Sequence, residues 1–274
     1  MSFVQLLQTA ALVRVQYLET CGSTNAEMQR LVAATPQLAP LLLVTAAQTS
    51  GRGRQGRQWQ ESPGNSLATS YFLPSLPPGA AAPTWIPLLA GVALVQALQK
   101  WVPAQLKWPN DILVPLHTAG VQRQPDDLAT QRGGFKLAGI LCEQTASGYI
   151  IGAGINLLTP VSQLPPGAIS LRSCGATAPE QPLAALADHL LALYVQRLQE
   201  LLATATRQPE RLPEIVAAQL ATLGQRVRAI MPDGATVTGF AQGLGAYGEL
   251  ILQQSDGTTV AIAAADIEHL RVGA

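Results

Sequence analysis

The stretch LLLVTAAQTSGRGRQGRQW, residues 41–59, joins an apolar run to a loop rich in glycine and arginine. Leu41 to Ala47 is a short apolar run, consistent with a buried strand. Directly after it come Gly51, Gly53 and Gly56, which let a backbone bend and approach a ligand closely. Arg52, Arg54 and Arg57 interleave with them and supply planar donors suited to phosphates and carboxylates. Trp59 can stack on a base or cover the loop. Alone, the segment reads equally well as a solvated basic loop or an arginine-rich RNA-binding tract. Its place after a buried strand, in a chain where 17 Lys and Arg balance 17 Asp and Glu, favours a folded anion-binding loop.

Three further segments carry groups of the same chemistry. Lys107-Trp108-Pro109-Asn110-Asp111 offers a point charge for a phosphate, an amide that donates and accepts, and a carboxylate. Lys136 opens the apolar strand Lys136-Leu137-Ala138-Gly139-Ile140-Leu141-Cys142-Glu143 and can project its charge into a cleft. Gly152-Ala153-Gly154-Ile155-Asn156 reads as a closely packed strand ending in an amide. Upstream, Ser23 or Thr24 followed by Glu27 matches a capping box opening a helix.

The remaining pattern is α+β. Strands are expected near 10–20, 65–73, 136–144 and 149–156, the last two paired across Ser147-Gly148. Gln105 to Trp108 begins a strand that Ile112 to Val114 continues. Helices are expected from Pro83 to Trp101, from Pro182 to Leu202 and over 211–221. Residues 115–134 are polar and read as a long exposed insertion. From Gly224 the texture changes to four short strands separated by Asp233-Gly234, Tyr247-Gly248 and Asp256-Gly257, a small all-β module. Two domains are therefore expected, 1–222 and 223–274.

Balanced charge argues against a general nucleic-acid or membrane-surface binder, which needs a basic excess. The N-terminus lacks the basic n-region of a signal peptide, and no apolar run reaches membrane-spanning length. A cytoplasmic protein is expected, without DNA or membrane as partner. Cys21, Cys142 and Cys174 lack zinc-ligand spacing, and His117, His189 and His269 are scattered, so no metal site is assigned to side chains.

The four segments, in this order, resemble the biotin–protein ligase family, as GRGRQGRQW at 51–59, KWPND at 107–111, KLAGILCE at 136–143 and GAGIN at 152–156. Ser23-Thr24-Asn25 matches the family's early helix start, and residues 224–274 resemble its small SH3-like domain. The resemblance implies a mixed or antiparallel sheet with flanking helices, like class II synthetases, plus a small C-terminal SH3-like β-barrel. It implies that biotin is joined to ATP as biotinyl-5′-AMP and then passed to a lysine of a biotin carboxyl carrier protein, that of acetyl-CoA carboxylase or a related enzyme. ATP with Mg2+ is the implied co-substrate.

By the same resemblance Ser23, Thr24, Asn25 and Gln48 surround the ureido ring. Gly51, Arg52, Gly53 and Arg54 wrap the biotin carboxylate, with Lys136 close by. Arg54, Arg57, Trp59, Lys107, Asn110, Asp111 and Asn156 form the adenylate side. Arg52, Arg54, Lys107 and Lys136 are the implied catalytic cations, and Asp111 is the candidate to assist the attacking lysine. About 11 residues precede the first expected strand, which points to the short class without an N-terminal DNA-binding domain. The family contains monomers and homodimers, so either state is open. The competing readings are a lipoate–protein ligase on the same fold, an arginine-loop nucleic-acid module, and a biotin sensor without transfer activity.

Overall fold

The computed structural model describes residues 6–35, 37–76, 81–175 and 183–270. Seven strands form the larger sheet: β1 (Arg14–Tyr17), β2 (Leu41–Thr45), β3 (Ser66–Leu73), β4 (Gln105–Lys107), β5 (Asp111–Val114), β6 (Phe135–Thr145) and β7 (Gly148–Asn156). Their spatial order is β1-β2-β3-β7-β6-β5-β4. β1 and β2 are parallel, and the other neighbours are antiparallel, so the sheet is mixed as expected.

The helices are α1 (Leu7–Ala10), α2 (Thr24–Ala34), α3 (Ile86–Leu98), α4 (Asp127–Arg132), α5 (Leu183–Arg207) and α6 (Leu212–Ala217). They cover both faces of the sheet. β2 shows why its sequence is apolar throughout: Leu41 and Leu43 pack with Met28 and Val32 of α2, while Leu42 and Val44 join the core built on α3 and α5. A strand buried on both faces reads as a continuous apolar run rather than an alternation. α3 lies between the sheet and α5, and all of it except Pro87 and Gln96 is buried. Among the described residues no helix is long and apolar enough to cross a membrane.

The small module at the C-terminal end is a five-stranded antiparallel sheet: β8 (Arg226–Ile230), β9 (Thr236–Leu244), β10 (Leu250–Gln253), β11 (Thr259–Ile262) and β12 (Asp266–His269), ordered β11-β10-β9-β8-β12. Its buried residues Val227, Ala241, Leu250 and Leu252 belong to the same hydrophobic core as α3 and α5. Two indoles of the larger unit tie it down: Trp85 Nε1 donates to Ala246 O and Trp108 Nε1 to Gly248 O, each at 3.0 Å.

Several local expectations need correction. The capping box is not formed: Ser23 makes no side-chain cap bond, and Glu27 pairs with Arg30 instead. Gln105 to Val114 is not one strand but a hairpin, with Lys107 opposite Asp111 and a cis Trp108–Pro109 peptide at its turn. The segment 115–134 is not simply an exposed loop. It contains α4, whose first turn is capped by Asp126 Oδ1 accepting from Ala129 N at 2.8 Å. Arg123 ties the segment to Ala168 O at 2.9 Å. α5 runs five residues beyond its expected end at Leu202, and its expected start, Pro182, lies outside the described residues. α1 and β12 were not anticipated.

Candidate active site

The two approaches to the larger sheet meet where α2 begins and β2 ends. Thr49 N donates to Cys21 O at 2.9 Å and Ser50 N to Gly22 O at 2.8 Å, which lays the Ser23-Thr24-Asn25 turn beside Gln48. Beyond Gln48 the glycine loop doubles back on itself. Trp59 N donates to Gly51 O at 2.9 Å, and Gly53 N to Arg57 O at 2.7 Å. The loop therefore has its own ladder and stands over the sheet as a folded flap.

Beneath it lies a cavity of about 480 Å³. Ser23, Thr24, Asn25, Gln48, Arg52, Gly53, Arg54, Arg57, Trp59, Lys107, Asn110, Asp111, Lys136 and Asn156 all line it. Of the residues to which the resemblance gives a role in the site, only Gly51 is not among the lining residues; it is buried, and its carbonyl holds the loop ladder. Leu128, Gln131 and Arg132 of α4 and Asp266, Ile267 and Glu268 of β12 also line it, none of which sequence reading had placed there. Six cationic side chains against three carboxylates line the cavity, a balance suited to an anionic ligand.

One end of the cavity carries the amides of Asn25 and Gln48. Asn25 uses both amide hydrogens: its Nδ2 donates to Glu143 Oε2 at 2.7 Å and to Leu141 O at 3.1 Å, and its Oδ1 accepts from Ser70 Oγ at 2.6 Å. Gln48 Oε1 accepts from Thr24 N at 2.8 Å and from Thr24 Oγ1 at 3.2 Å. Glu143, quoted in a motif but given no role, also takes Gln29 Nε2 at 3.0 Å and faces Arg52 at 3.6 Å.

The other end is charged. Lys136 Nζ pairs with Asp111 Oδ1 at 2.6 Å and lies 5.7 Å from the centre of the Trp59 ring. Burial pushes the Asp111 carboxyl up, but Lys136 and Lys107 outweigh it and hold the group below the ordinary carboxylate range. Arg54 Nη1 donates to Asn110 Oδ1 at 3.1 Å, and Asn110 Nδ2 to Ile140 O at 2.7 Å. Lys107 is only 6% exposed and donates to the carbonyl of Ile267 in β12. Burial lowers its ammonium to about 8, with Asp111 opposing the shift. Asn156 Nδ2 donates to Ile169 O at 3.2 Å. Arg57 pairs with Asp266, so the flap reaches the second sheet.

The glycines of 152–156 have a steric reason. A Cβ at Gly152 would stand 2.3 Å from Asn25 Oδ1, and one at Gly154 would stand 2.4 Å from the Trp59 ring. β7 thus carries two bare positions on which the amide and the indole rest. Glycine suits a strand where another group approaches this closely.

The comparisons agree with this architecture. Residues 18–157 match the model of the biotin/lipoate A/B protein ligase family, and residues 222–270 match that of the biotin protein ligase C terminal domain. The chain is 32% identical to the biotin–[acetyl-CoA-carboxylase] ligase of Mycobacterium tuberculosis, over 91% of this chain and 86% of that protein. It is likewise 32% identical to the ligase of that name from Paracoccus denitrificans, over 90% of this chain and 97% of that protein. The fold resembles that of the biotin protein ligase from Aquifex aeolicus in complex with biotin and ATP, with a TM-score of 0.71, 22% identity, and coverage of 94% and 99% of the two chains. With a family match over half its length and a further match over the second sheet, the chain belongs to the biotin/lipoate A/B protein ligase family.

Proposed function

We propose that this protein activates biotin with ATP and attaches it to a lysine of a biotin carboxyl carrier protein. The observation that carries the reading is a single cavity with an amide end at Thr24, Asn25 and Gln48 and a cationic end at Arg54, Lys107 and Lys136, with Arg52 facing Glu143 beside Asn25. A ureido ring needs donors and acceptors without charge, while a carboxylate meeting a triphosphate needs cations.

In the first step a biotin carboxylate oxygen attacks the α-phosphorus of ATP. The new O–P bond gives biotinyl-5′-AMP, and pyrophosphate leaves. Arg52 and Lys136 stand where they can neutralise the carboxylate, and Arg54 and Lys107 serve the phosphates. This charge neutralisation and alignment is the main aid a protein gives to phosphoryl-type transfer. In this reading Arg57, Trp59, Asn110 and Asn156 frame the adenylate, and Ser23 and Thr24 the ureido ring. Mg2+ would enter with ATP on the phosphate oxygens, as is usual for this ion. Among the described residues no group of three His, Cys, Asp or Glu side chains could hold a metal unaided.

In the second step the carrier's lysine amine attacks the acyl carbon and AMP leaves with the bonding pair. Asp111 is assigned to receive or orient the amine proton. The folded flap excludes water from the hydrolysis-prone anhydride. We place the catalytic unit at 1–222 and a supporting module at 223–274.

The test is incubation with MgATP, biotin and the carrier domain of acetyl-CoA carboxylase, followed by mass spectrometry of the carrier. A gain of one biotinyl group at one lysine supports the assignment. Incorporation of lipoate in place of biotin would move the protein to the other branch of the family.

A further inference from the structure

Glu61 lies two residues past Trp59, outside the motifs read from sequence, and does not line the cavity. Its carboxylate nevertheless grips the cavity residue Gln48 twice. Glu61 Oε2 accepts from Gln48 N at 2.9 Å, and Glu61 Oε1 from Gln48 Nε2 at 2.8 Å. At the far end of the same amide, Oε1 accepts from the backbone N–H and the hydroxyl of Thr24.

A primary amide is nearly symmetric in shape, yet its two ends have opposite hydrogen-bonding character. Two neighbours distinguish the orientations here: the Thr24 N–H, which donates and cannot accept, and, at the other end, a group that accepts and cannot donate. An ionised carboxylate is such a group, and Glu61 is the one placed at the NH2 end. Burial raises the Glu61 carboxyl, and the bonds from Gln48, with a smaller contribution from Trp59, limit that rise without cancelling it. With an amide at position 61, either orientation of Gln48 would find a partner there. The flipped one would leave Thr24 N facing an NH2 group. In the orientation present, Gln48 Nε2 keeps a second hydrogen after serving Glu61. That hydrogen is a donor matched to a carbonyl oxygen.

We propose that Glu61 is a positioning residue: it fixes the Gln48 amide so that the cavity offers a donor to the ureido carbonyl, and thereby selects biotin over analogues that lack that acceptor. The proposal rests on the placement of biotin's ring at Gln48 given above. The discriminating analogue is 2-iminobiotin, whose cyclic guanidine is protonated at neutral pH and offers only donors where biotin offers an oxygen.

The experiment measures pyrophosphate exchange, with biotin varied at saturating MgATP and MgATP varied at saturating biotin, for the full chain, for Glu61→Gln, Gln48→Ala and the double variant. Glu61→Gln, nearly isosteric, is expected to raise the KM for biotin about tenfold, the size of one lost hydrogen bond. It should leave kcat and the KM for ATP within about twofold, and narrow the preference for biotin over 2-iminobiotin by a similar factor. Glu61→Asp, which keeps the charge, should restore part of that preference. The double variant should be no worse than Gln48→Ala. An unchanged KM and preference in Glu61→Gln, with Gln48→Ala impaired, overturns the proposal while leaving biotin's placement intact. So does a Glu61→Gln effect that persists in the Gln48→Ala background, or one that raises the KM for ATP equally. An unaffected Gln48→Ala overturns biotin's placement, and the proposal with it.

Discussion

At Lys107 a charge needed for chemistry conflicts with its surroundings. The ammonium is buried, donates to the Ile267 carbonyl and titrates near 8 rather than in the usual lysine range. A lysine with a depressed folded value loses its proton in the native state before it does in the unfolded chain. The unfolded state therefore binds more protons between about 8 and 10.4, and folding stability rises with pH across that window. Catalysis moves the opposite way, because only the cation serves a phosphate. The kcat/KM for ATP should fall as pH rises past about 8. In Lys107→Arg, whose guanidinium does not titrate there, that falling limb should move to higher pH. A profile identical in both proteins would remove Lys107 from the nucleotide's charge balance. Asp111 calls for a different measurement. Its pairing with Lys136 suits it to fix charge, and a carboxylate held low is a weak base. Asp111→Asn should slow transfer from preformed biotinyl-5′-AMP to the carrier at least about tenfold if the group handles the amine proton. An unchanged transfer rate sinks that role. The lysine and the aspartate were both readable from KWPND, but the partner of Lys107 was not. Ile267 is 160 positions away and contributes a backbone carbonyl, which no side-chain motif announces.

Among the elements, legibility followed the range of the forces involved. β2 declared itself through its apolar run, and the β6–β7 hairpin through its turn at Ser147-Gly148. α4 did not. Its polar composition is that of a loop, and it is held by long-range bonds: Asp126 Oδ2 accepts from Gly167 N at 2.7 Å, and Arg123 reaches Ala168. Tertiary context of this kind overrides local propensity. The hairpin of β4 and β5 was misread as one strand because apolar residues flank its turn on both sides. β7 shows the reverse case, where a motif that looked merely structural shapes the site. Gly152 makes room for Asn25 and Gly154 for Trp59. Gly152→Ala should therefore weaken biotin binding, and Gly154→Ala should raise the KM for ATP while largely sparing biotin. Isothermal titration with biotin and initial rates against ATP separate the two. Equal effects of both variants on both ligands would mean that the strand only supports packing.

For the whole molecule, a second sheet follows the change of texture at Gly224, and it shares the hydrophobic core of the first. The core is continuous from α3 and α5 into β8, β9 and β10, and Trp108 Nε1 and Lys107 both find their acceptors in the second sheet. Ending the chain at residue 222 would strip apolar cover from α3 and take away the acceptors of both donors. Such a chain should bind a hydrophobic dye and form no adenylate. That result alone would not separate loss of folding from loss of a catalytic contribution, but Arg57 and Asp266 do. Their side chains are 56% and 39% exposed, and a pair so open to water contributes under about 1 kcal/mol to stability. It is nonetheless the ion pair that joins the glycine-rich flap to β12, beside the cavity. Asp266→Ala should then leave the melting temperature nearly unchanged while releasing Arg57, loosening the flap and letting water reach the bound intermediate. The expected signature is faster release or hydrolysis of biotinyl-5′-AMP, seen as ATP consumed in excess of carrier labelled. Arg57→Ala should show the same excess, and the double variant no more than either alone. If ATP use stays matched to labelling in all three, the second sheet supports the fold and takes no part in closing the site.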